Sequence, residues 1–272
     1  MSHQPRLLVT RPQPQADEWV AALRQAGHEA CALPLIATLP ASDPAAVNQA
    51  WRALARTRLV MFVSPAAVHG FFAHRPPEAH WPAGTLAAAP GPGTRRVLAR
   101  CGEPAGLPLD QIVSPQADAE QFDSEHLWPL LAPLDWAGAH VLLACGGQDG
   151  QPAGRPWLTQ QWQARGATVE PLVCYQRAAG TWTPEQQALA RAALAAPSSH
   201  LWLFSASEAL KHLQGHHIPA LGLDTAVDWS RAHALCTHPR VAEQARALGF
   251  GHVTVCQPVP AAVAALAGHH AN

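Results

Sequence analysis

The feature that most constrains the fold is a regular alternation of short apolar runs with amphipathic segments of helical period. RLLVT at 6–10 and RLVMFVS at 58–64 are apolar runs of strand length. QADEWVAALRQAGH at 15–28 places its apolar residues on one helical face and ends at Gly27. The same order continues to a helical segment at 261–268. This alternation predicts an α/β fold, with parallel sheets flanked by helices.

The two halves of the chain repeat the same order of segments. MFVSPAAVHGFF aligns with LWLFSASEALKHL, which puts Ser64 and Ser205 at the same strand-to-helix turn. LAAAPGPGTRRVLARCGE aligns with HALCTHPRVAEQARALGF in the same way. At 272 residues the chain exceeds the usual size of a single core. Length and repetition together predict two domains related by duplication.

Composition argues against several classes of function. The formal net charge is −1 and the pI is about 7.0, so no broad nucleic-acid surface is expected. The sequence contains no apolar run long enough for a membrane span, no N-terminal signal sequence and no C-x-x-C pair. Its 16 histidines show no H-E-x-x-H spacing. We therefore expect a reduced cytoplasmic protein without metal, membrane or nucleic-acid partner.

Four polar residues follow predicted strands, at the edge where open parallel sheets bind ligands. Arg11 follows the first strand, and Ser64 precedes a helix. GPGTRR puts Thr94 at a helix start whose backbone N–H groups favour an anion. Ser205 and Glu208 fit a capping box. The alternative interpretation is plain helix capping for the three hydroxyl residues and a solvated loop charge for Arg11.

Tyr175 is the only tyrosine of the chain, and it lies in the extended segment TVEPLVCYQR at 168–177. A tyrosine hydroxyl keeps its proton at neutral pH and can donate it to a substrate. The alternative is a half-buried strand tyrosine with a hydrogen-bonded hydroxyl. The neighbouring Cys174 is expected to face the other side of the strand.

In order and spacing, the segments of this chain resemble the uroporphyrinogen-III synthase family. The resemblance covers nearly the whole chain and rests on LLVTRP, AGHEA, LPLI, FVSPAAV, GPGTRRVL, RGATVEPLVCYQR, FSASEAL and HPRVAEQARALGFG. It implies two α/β domains joined by two extended strands, with an interdomain cleft. The first domain would comprise residues 1–38 and 175–272 and the second 39–174, with linkers at about 32–39 and 169–177. Periodicity alone equally allows two contiguous halves.

The resemblance also implies a reaction. The family's substrate is hydroxymethylbilane, a linear tetrapyrrole with eight carboxylates. Loss of its hydroxyl as water gives an azafulvene, which closes through a spiro intermediate with inversion of the last pyrrole. The chain would then be a monomeric lyase of haem biosynthesis that needs no cofactor and receives its substrate from hydroxymethylbilane synthase. Tyr175 stands where the family's favoured proton donor stands. The substrate-binding residues implied are Arg11, Ser64, Thr94, Ser205 and Arg240.

Two departures from the family pattern bear on substrate affinity. Most relatives carry an Arg-Gly pair where this chain has Cys145-Gly146, and Arg155 comes only after an insertion at 146–154. Arg240 stands where some relatives have a threonine. The alternative function is therefore a non-catalytic two-domain protein of the same fold that binds an anionic ligand in its cleft. A further alternative uses GPGT as a phosphate loop for a nucleotide.

Overall fold

The computed structural model describes residues 4–115, 124–148, 151–153, 156–223 and 227–269. The chain divides into two compact units. The first unit comprises Met1–Ala37 and Ala178–Asn272, and the second comprises Thr38–Arg177. Tyr175 therefore lies in the second unit.

The elements follow the predicted alternation of strands and helices. The strands are β1 (Arg6–Val9), β2 (Ala30–Ala32), β3 (Ile36–Pro40), β4 (Leu59–Phe62), β5 (Leu86–Ala88), β6 (Ile112–Val113), β7 (His140–Gln148), β8 (Gln151–Ala153), β9 (Thr168–Ala179), β10 (His200–Phe204), β11 (His233–Cys236) and β12 (His252–Val255). The helices are α1 (Gln15–Gln25), α2 (Pro44–Ala53), α3 (Pro65–Ala73), α4 (Pro92–Gly102), α5 (Ser124–Leu131), α6 (Pro156–Gln163), α7 (Pro184–Ala195), α8 (Ser207–His212), α9 (Ile218–Ala220), α10 (Pro239–Leu248) and α11 (Pro260–His269). A π-helical turn, Leu213–His217, connects α8 to α9.

The sheet of the first unit has the strand order β12-β11-β10-β1-β2, and these strands pair in parallel. The chain leaves β1 toward β2 and leaves β10 toward β11, in opposite directions across the sheet. The switch point, where such sheets bind ligands, therefore lies between β1 and β10. Arg11 and Ser205 follow these two strands and stand at the carboxyl edge beside it.

The sheet of the second unit has the order β3-β9-β7-β4-β5-β6, with β8 paired antiparallel to β7. The strands from β9 to β6 pair in parallel, and the switch point lies between β4 and β7. Read from its far edge, β6-β5-β4-β7-β9 repeats the order β12-β11-β10-β1-β2 of the first sheet. The predicted α/β fold with parallel sheets is confirmed, and the two strand orders match the alignment of the halves.

Each sheet is buried on both faces because helices cover both sides of parallel strands. In the first unit, Leu8 and Trp202 pack against α7, α8 and α10, whereas Leu7 and Leu201 pack on the opposite face against α1 and α11. In the second unit, the face that carries Phe62 packs against α2, α3 and α4, and the opposite face packs against α5 and α6. The two rigid sheets fix the positions of the loops at their carboxyl edges.

The segment at 146–154 adds to the second sheet. β7 runs on to Gln148, and β8 pairs back on it with Gly146 opposite Ala153. The described part of this insertion is therefore the base of an antiparallel hairpin. Arg155 lies outside the described residues.

Candidate active site

Tyr175 is placed by a bulge in β9. In the pairing of β7 with β9, Cys145 stands opposite Val173 and Gly146 opposite Tyr175, so Cys174 is an extra residue on β9. The expected alternation of Cys174 and Tyr175 was wrong, because the bulge interrupts it and both side chains pack into the same core cluster. Tyr175 is only 6% exposed.

The phenol of Tyr175 extends across β7 to the neighbouring strand. β7 lies between β9 and β4, and the Tyr175 hydroxyl is 3.2 Å from Oγ of Ser64, which follows β4. The ring passes directly over Gly146. A Cβ atom at position 146 would lie 2.6 Å from Cζ of the phenol and 2.8 Å from its hydroxyl oxygen. The arrangement therefore requires glycine at this position.

Ser64 has two partners. It is the N-cap of α3, and its Oγ accepts a hydrogen bond from the Ala67 amide at 3.2 Å. The predicted cap is therefore present, and the same hydroxyl also contacts Tyr175. One side chain thus links the start of a helix to the phenol.

Thr94 is the third residue of α4 and is 6% exposed. The predicted interpretation of Thr94 as the N-cap is wrong. Pro92 is the first helical residue, a position for which proline is preorganised, so Gly91 is the cap. The amides of Gly93 and Thr94 lie in the first turn, where a helix offers its own N–H groups no acceptor. This turn keeps the predicted capacity to bind an anion.

Ser205 does not form the predicted capping box. α8 begins at Ser207 with Ala206 as its N-cap, one residue later than the box requires. The Glu208 carboxylate instead lies 3.3 Å from Nε2 of His212. Ser205 is half-buried just beyond β10, and its part in binding stays a prediction.

Arg11 is a partly buried cation rather than a solvated loop charge, so that alternative is wrong. Its guanidinium carbon lies 4.6 Å from the centre of the Trp19 ring, and Nη2 is 3.4 Å from Oε1 of Gln15. Its Nε is buried with no hydrogen-bond partner among the described residues. Desolvation lowers the pKa of Arg11, and the charge of Glu18 opposes that shift. A stacked guanidinium with unused donors is well suited to bind a carboxylate.

Arg240 is the second residue of α10, and its side chain is exposed. His238 caps this helix, its Nδ1 accepting from the Arg240 amide at 3.1 Å. Pro239 follows His238 as Pro92 follows Gly91, so the starts of α10 and α4 correspond. Both helix starts offer donors beyond the ends of corresponding strands.

The structure joins two of the residues predicted from sequence, Tyr175 and Ser64, in direct contact. Thr94 belongs to the same unit, whereas Arg11, Ser205 and Arg240 belong to the first unit. Sequence reasoning missed the roles of Gly146 and Trp19. Gly146 could have been suspected, because the resemblance described above implies a glycine at this position.

Within the described ranges, no three histidine, cysteine or acidic side chains lie close enough together to hold a metal ion. Over the same ranges, no helix has the length and apolar character that crossing a membrane needs.

Comparisons with known proteins identify a matching family and a shared fold. A protein-family model described as uroporphyrinogen-III synthase HemD matches residues 17–264. The chain is similar to a mutant uroporphyrinogen III synthase from the extremely thermophilic bacterium Thermus thermophilus, with 19% identity, 98% of each chain covered and a TM-score of 0.57. It is also similar to uroporphyrinogen-III synthetase from Helicobacter pylori, with 14% identity, 98% of this chain and 99% of that chain covered and a TM-score of 0.54. At such identities these structures show a shared fold.

Proposed function

The chain belongs to the uroporphyrinogen-III synthase family, and we propose that it is a lyase that cyclises hydroxymethylbilane to uroporphyrinogen III. The two compact units would be the two domains of this synthase. The observation that carries the proposal is the Tyr175 phenol, which lies over Gly146 and contacts Ser64 at the carboxyl edge of a parallel sheet.

Tyr175 would act as general acid. Its proton passes to the hydroxyl oxygen of the substrate, the carbon–oxygen bond breaks, and water leaves. The resulting azafulvene cation is attacked by the substituted α-carbon of the last pyrrole ring, which gives the spiro intermediate. The older bond from that carbon to the bridging carbon of the third ring then breaks, and the bridging carbon bonds to the free α-carbon of the last ring, which inverts this ring and closes the macrocycle. That pyrrole then loses a proton as its aromaticity is restored, and this proton can return to the phenolate. The net reaction is the loss of one water.

The substrate's carboxylates need hydrogen-bond donors. Arg11 supports their binding because its guanidinium is partly desolvated and holds an unused Nε donor. The first-turn amides of α4 near Thr94 and the exposed guanidinium of Arg240 offer further donors. Ser205, half-buried beyond β10, would add a hydroxyl. Each of these donors stands at the start of a helix or the end of a strand, where the backbone holds it in place.

One observation favours a non-catalytic protein that binds an anionic ligand. Cys145 is 1% exposed and stands where most relatives carry an arginine, so this position contributes no cation. Such a protein would bind the linear tetrapyrrole without accelerating its closure. Turnover therefore distinguishes the two functions.

The test supplies hydroxymethylbilane, oxidises the products and separates isomers I and III. We expect the wild type to form mainly isomer III. We expect Tyr175→Phe, which keeps the ring over Gly146 and removes only the hydroxyl, to lower kcat at least about tenfold. Ser42→Ala is the matched control, since it removes a hydroxyl bonded at 2.9 Å to Gln176, the next residue of β9. Isomer I alone, as in the enzyme-free reaction, would rule out the synthase and favour the binding protein.

A further inference from the structure

We propose that Ser64 is a positioning residue for Tyr175, and this inference rests on the proposed function. The Ser64 hydroxyl donates a hydrogen bond to the phenol oxygen and thereby leaves the proton of the phenol free for the substrate. Ser64 would in this way set the direction of proton transfer without itself touching the reacting atoms.

The argument begins with the valence of the serine hydroxyl. A hydroxyl carries one proton and two lone pairs. One lone pair of Ser64 Oγ is used by the Ala67 amide at 3.2 Å, because Ser64 caps α3. Capping leaves the proton of Ser64 available, and we assign it to a hydrogen bond to the Tyr175 oxygen at 3.2 Å. The helix start therefore orients the serine, and the serine orients the phenol.

The phenol has little freedom to arrange itself otherwise. Tyr175 is 6% exposed, and its ring is confined by the backbone of Gly146 beneath it. With its oxygen accepting from Ser64, its single proton points to a different acceptor. In the proposed reaction that acceptor is the departing hydroxyl of the substrate.

The same contact stabilises the phenol after it has given up its proton. When water leaves, the phenolate carries a negative charge, and a preorganised O–H donor is worth most where such charge develops. Ser64 also stands at the N-terminus of α3, where the helix dipole favours negative charge. The proton released by the attacking pyrrole then restores the phenol. Ser64 would therefore affect kcat more than KM.

Capping and donation can be separated by choice of substitution. Ser64→Thr keeps a hydroxyl that can do both. Ser64→Gly removes the donor to the phenol but weakens an N-cap only slightly, because glycine is itself a favoured N-cap residue. If Ser64 served only as a cap, the two variants would have nearly the same kcat.

The kinetic test combines these variants with Tyr175→Phe. We expect Ser64→Gly to lower kcat about tenfold with little change in KM, and Ser64→Thr to retain most of the activity. In the Tyr175→Phe background, Ser64→Gly should cause no further loss, because a residue that acts through the phenol has nothing left to act on. Equal losses in both backgrounds would overturn the inference while leaving the proposed function intact.

A second readout does not depend on activity. Tyr175 is the only tyrosine among 272 residues, so protein labelled with 13C at the hydroxyl-bearing carbon of tyrosine gives one such NMR signal. We expect Ser64→Gly to move this signal and Ser64→Thr to leave it near its wild-type position. An unmoved signal in Ser64→Gly contradicts the inference. If the wild-type protein forms no isomer III from hydroxymethylbilane, the proposed function is refuted, and the inference with it.

Discussion

At the scale of single residues, Gly146 decides where the only tyrosine of the chain can lie. The phenol crosses β7 at this position because no side chain stands in its way. The bulge at Cys174 places Tyr175 opposite Gly146. In a regular ladder, Cys174 would stand opposite Gly146. A local irregularity and a missing side chain together give the phenol its contact with Ser64.

Gly146→Ala should therefore damage the site more than the fold. The new methyl group would lie 2.6 Å from Cζ of Tyr175, so the ring has to move away from Ser64. We expect kcat to fall at least about tenfold and unfolding free energy to fall by about 1–3 kcal/mol, as in other overpacked cores. Steady-state kinetics and thermal unfolding measure the two effects. Gly84→Ala is the control, since a Cβ atom there meets nothing within 4 Å; equal kinetic losses in both variants would contradict the steric argument.

Arg11 and Arg6 bracket the same strand and form a matched pair for testing carboxylate binding. Arg6 begins β1 and pairs with Glu29, whereas Arg11 follows β1 at its carboxyl end and stacks on Trp19. We expect Arg11→Gln to raise KM for hydroxymethylbilane about tenfold or more, because a charge-assisted hydrogen bond to a carboxylate is lost. Arg6→Gln should leave KM unchanged. Michaelis constants that rise equally in both variants would place the effect in overall charge.

At the scale of elements, the sequence predicted the alternation of strands and helices well and the first residues of the helices less well. Periodicity located the start of α1 at Gln15, as observed, because apolar spacing acts locally. The capping-box spacing of Ser205 and Glu208 misplaced the start of α8, because the backbone enters the helix only at Ser207. Spacing identifies residues that can cap, but the path of the chain out of the strand selects the one that does.

A different reason explains why the sequence did not predict the bulge at Cys174 or the hairpin after β7. A bulge depends on the register between two strands, and the partner of β9 is set by the sheet rather than by neighbouring sequence. The contact of Tyr175 with Ser64 joins residues 111 positions apart. Sequence therefore identified both residues of the candidate site separately, and tertiary structure was needed to bring them together.

The N-termini of α7 and α8 differ in their capping, and this difference gives a prediction about stability. Thr183 and Gln186 form a complete capping box at α7, with hydrogen bonds of 3.3 and 3.0 Å. We expect Thr183→Ala to lower the unfolding free energy by about 1 kcal/mol. Ser205→Ala should cost clearly less, because Ser205 caps no helix. Urea denaturation of both variants checks this, and an equal cost would mean that Ser205 does cap α8 in solution.

At the scale of the whole molecule, His217 contacts two segments of the first unit that are far apart in sequence. It is 2% exposed, its ring stacks on Trp182 at 4.1 Å, and its Nε2 donates to the carbonyl of Leu35 at 3.2 Å. The same carbonyl accepts from the Gly180 amide at 3.1 Å. The segments around 35 and 180, which are far apart in sequence, are thus held by one buried imidazole.

Burial of His217 predicts a loss of stability in acid. Desolvation lowers its pKa from 6.5 to about 4, so the folded state holds the neutral form. The unfolded chain binds a proton at higher pH than the folded chain, and the stabilisation is therefore complete above pH 6.5 and lost as the pH falls toward 4. This contribution is about 3 kcal/mol in total. Denaturation at a series of pH values should show a shallower acid loss in His217→Gln, with the exposed neighbour His216→Gln as control; parallel pH profiles would contradict the prediction.

The pairing of β1 with β10 has a consequence for synthesis on the ribosome. Leu7 pairs with Leu201 at the centre of the first sheet, whereas the second unit is continuous from Thr38 to Arg177. Translation delivers the chain from its N-terminus, and domains fold as units when their residues have emerged. The second unit can therefore complete its fold during elongation, while β1 and α1, although made first, wait without their central partner. A nascent chain stalled before residue 200 would carry one folded unit and a strand β1 whose edge toward β10 is open, and this edge is a candidate ligand for chaperones.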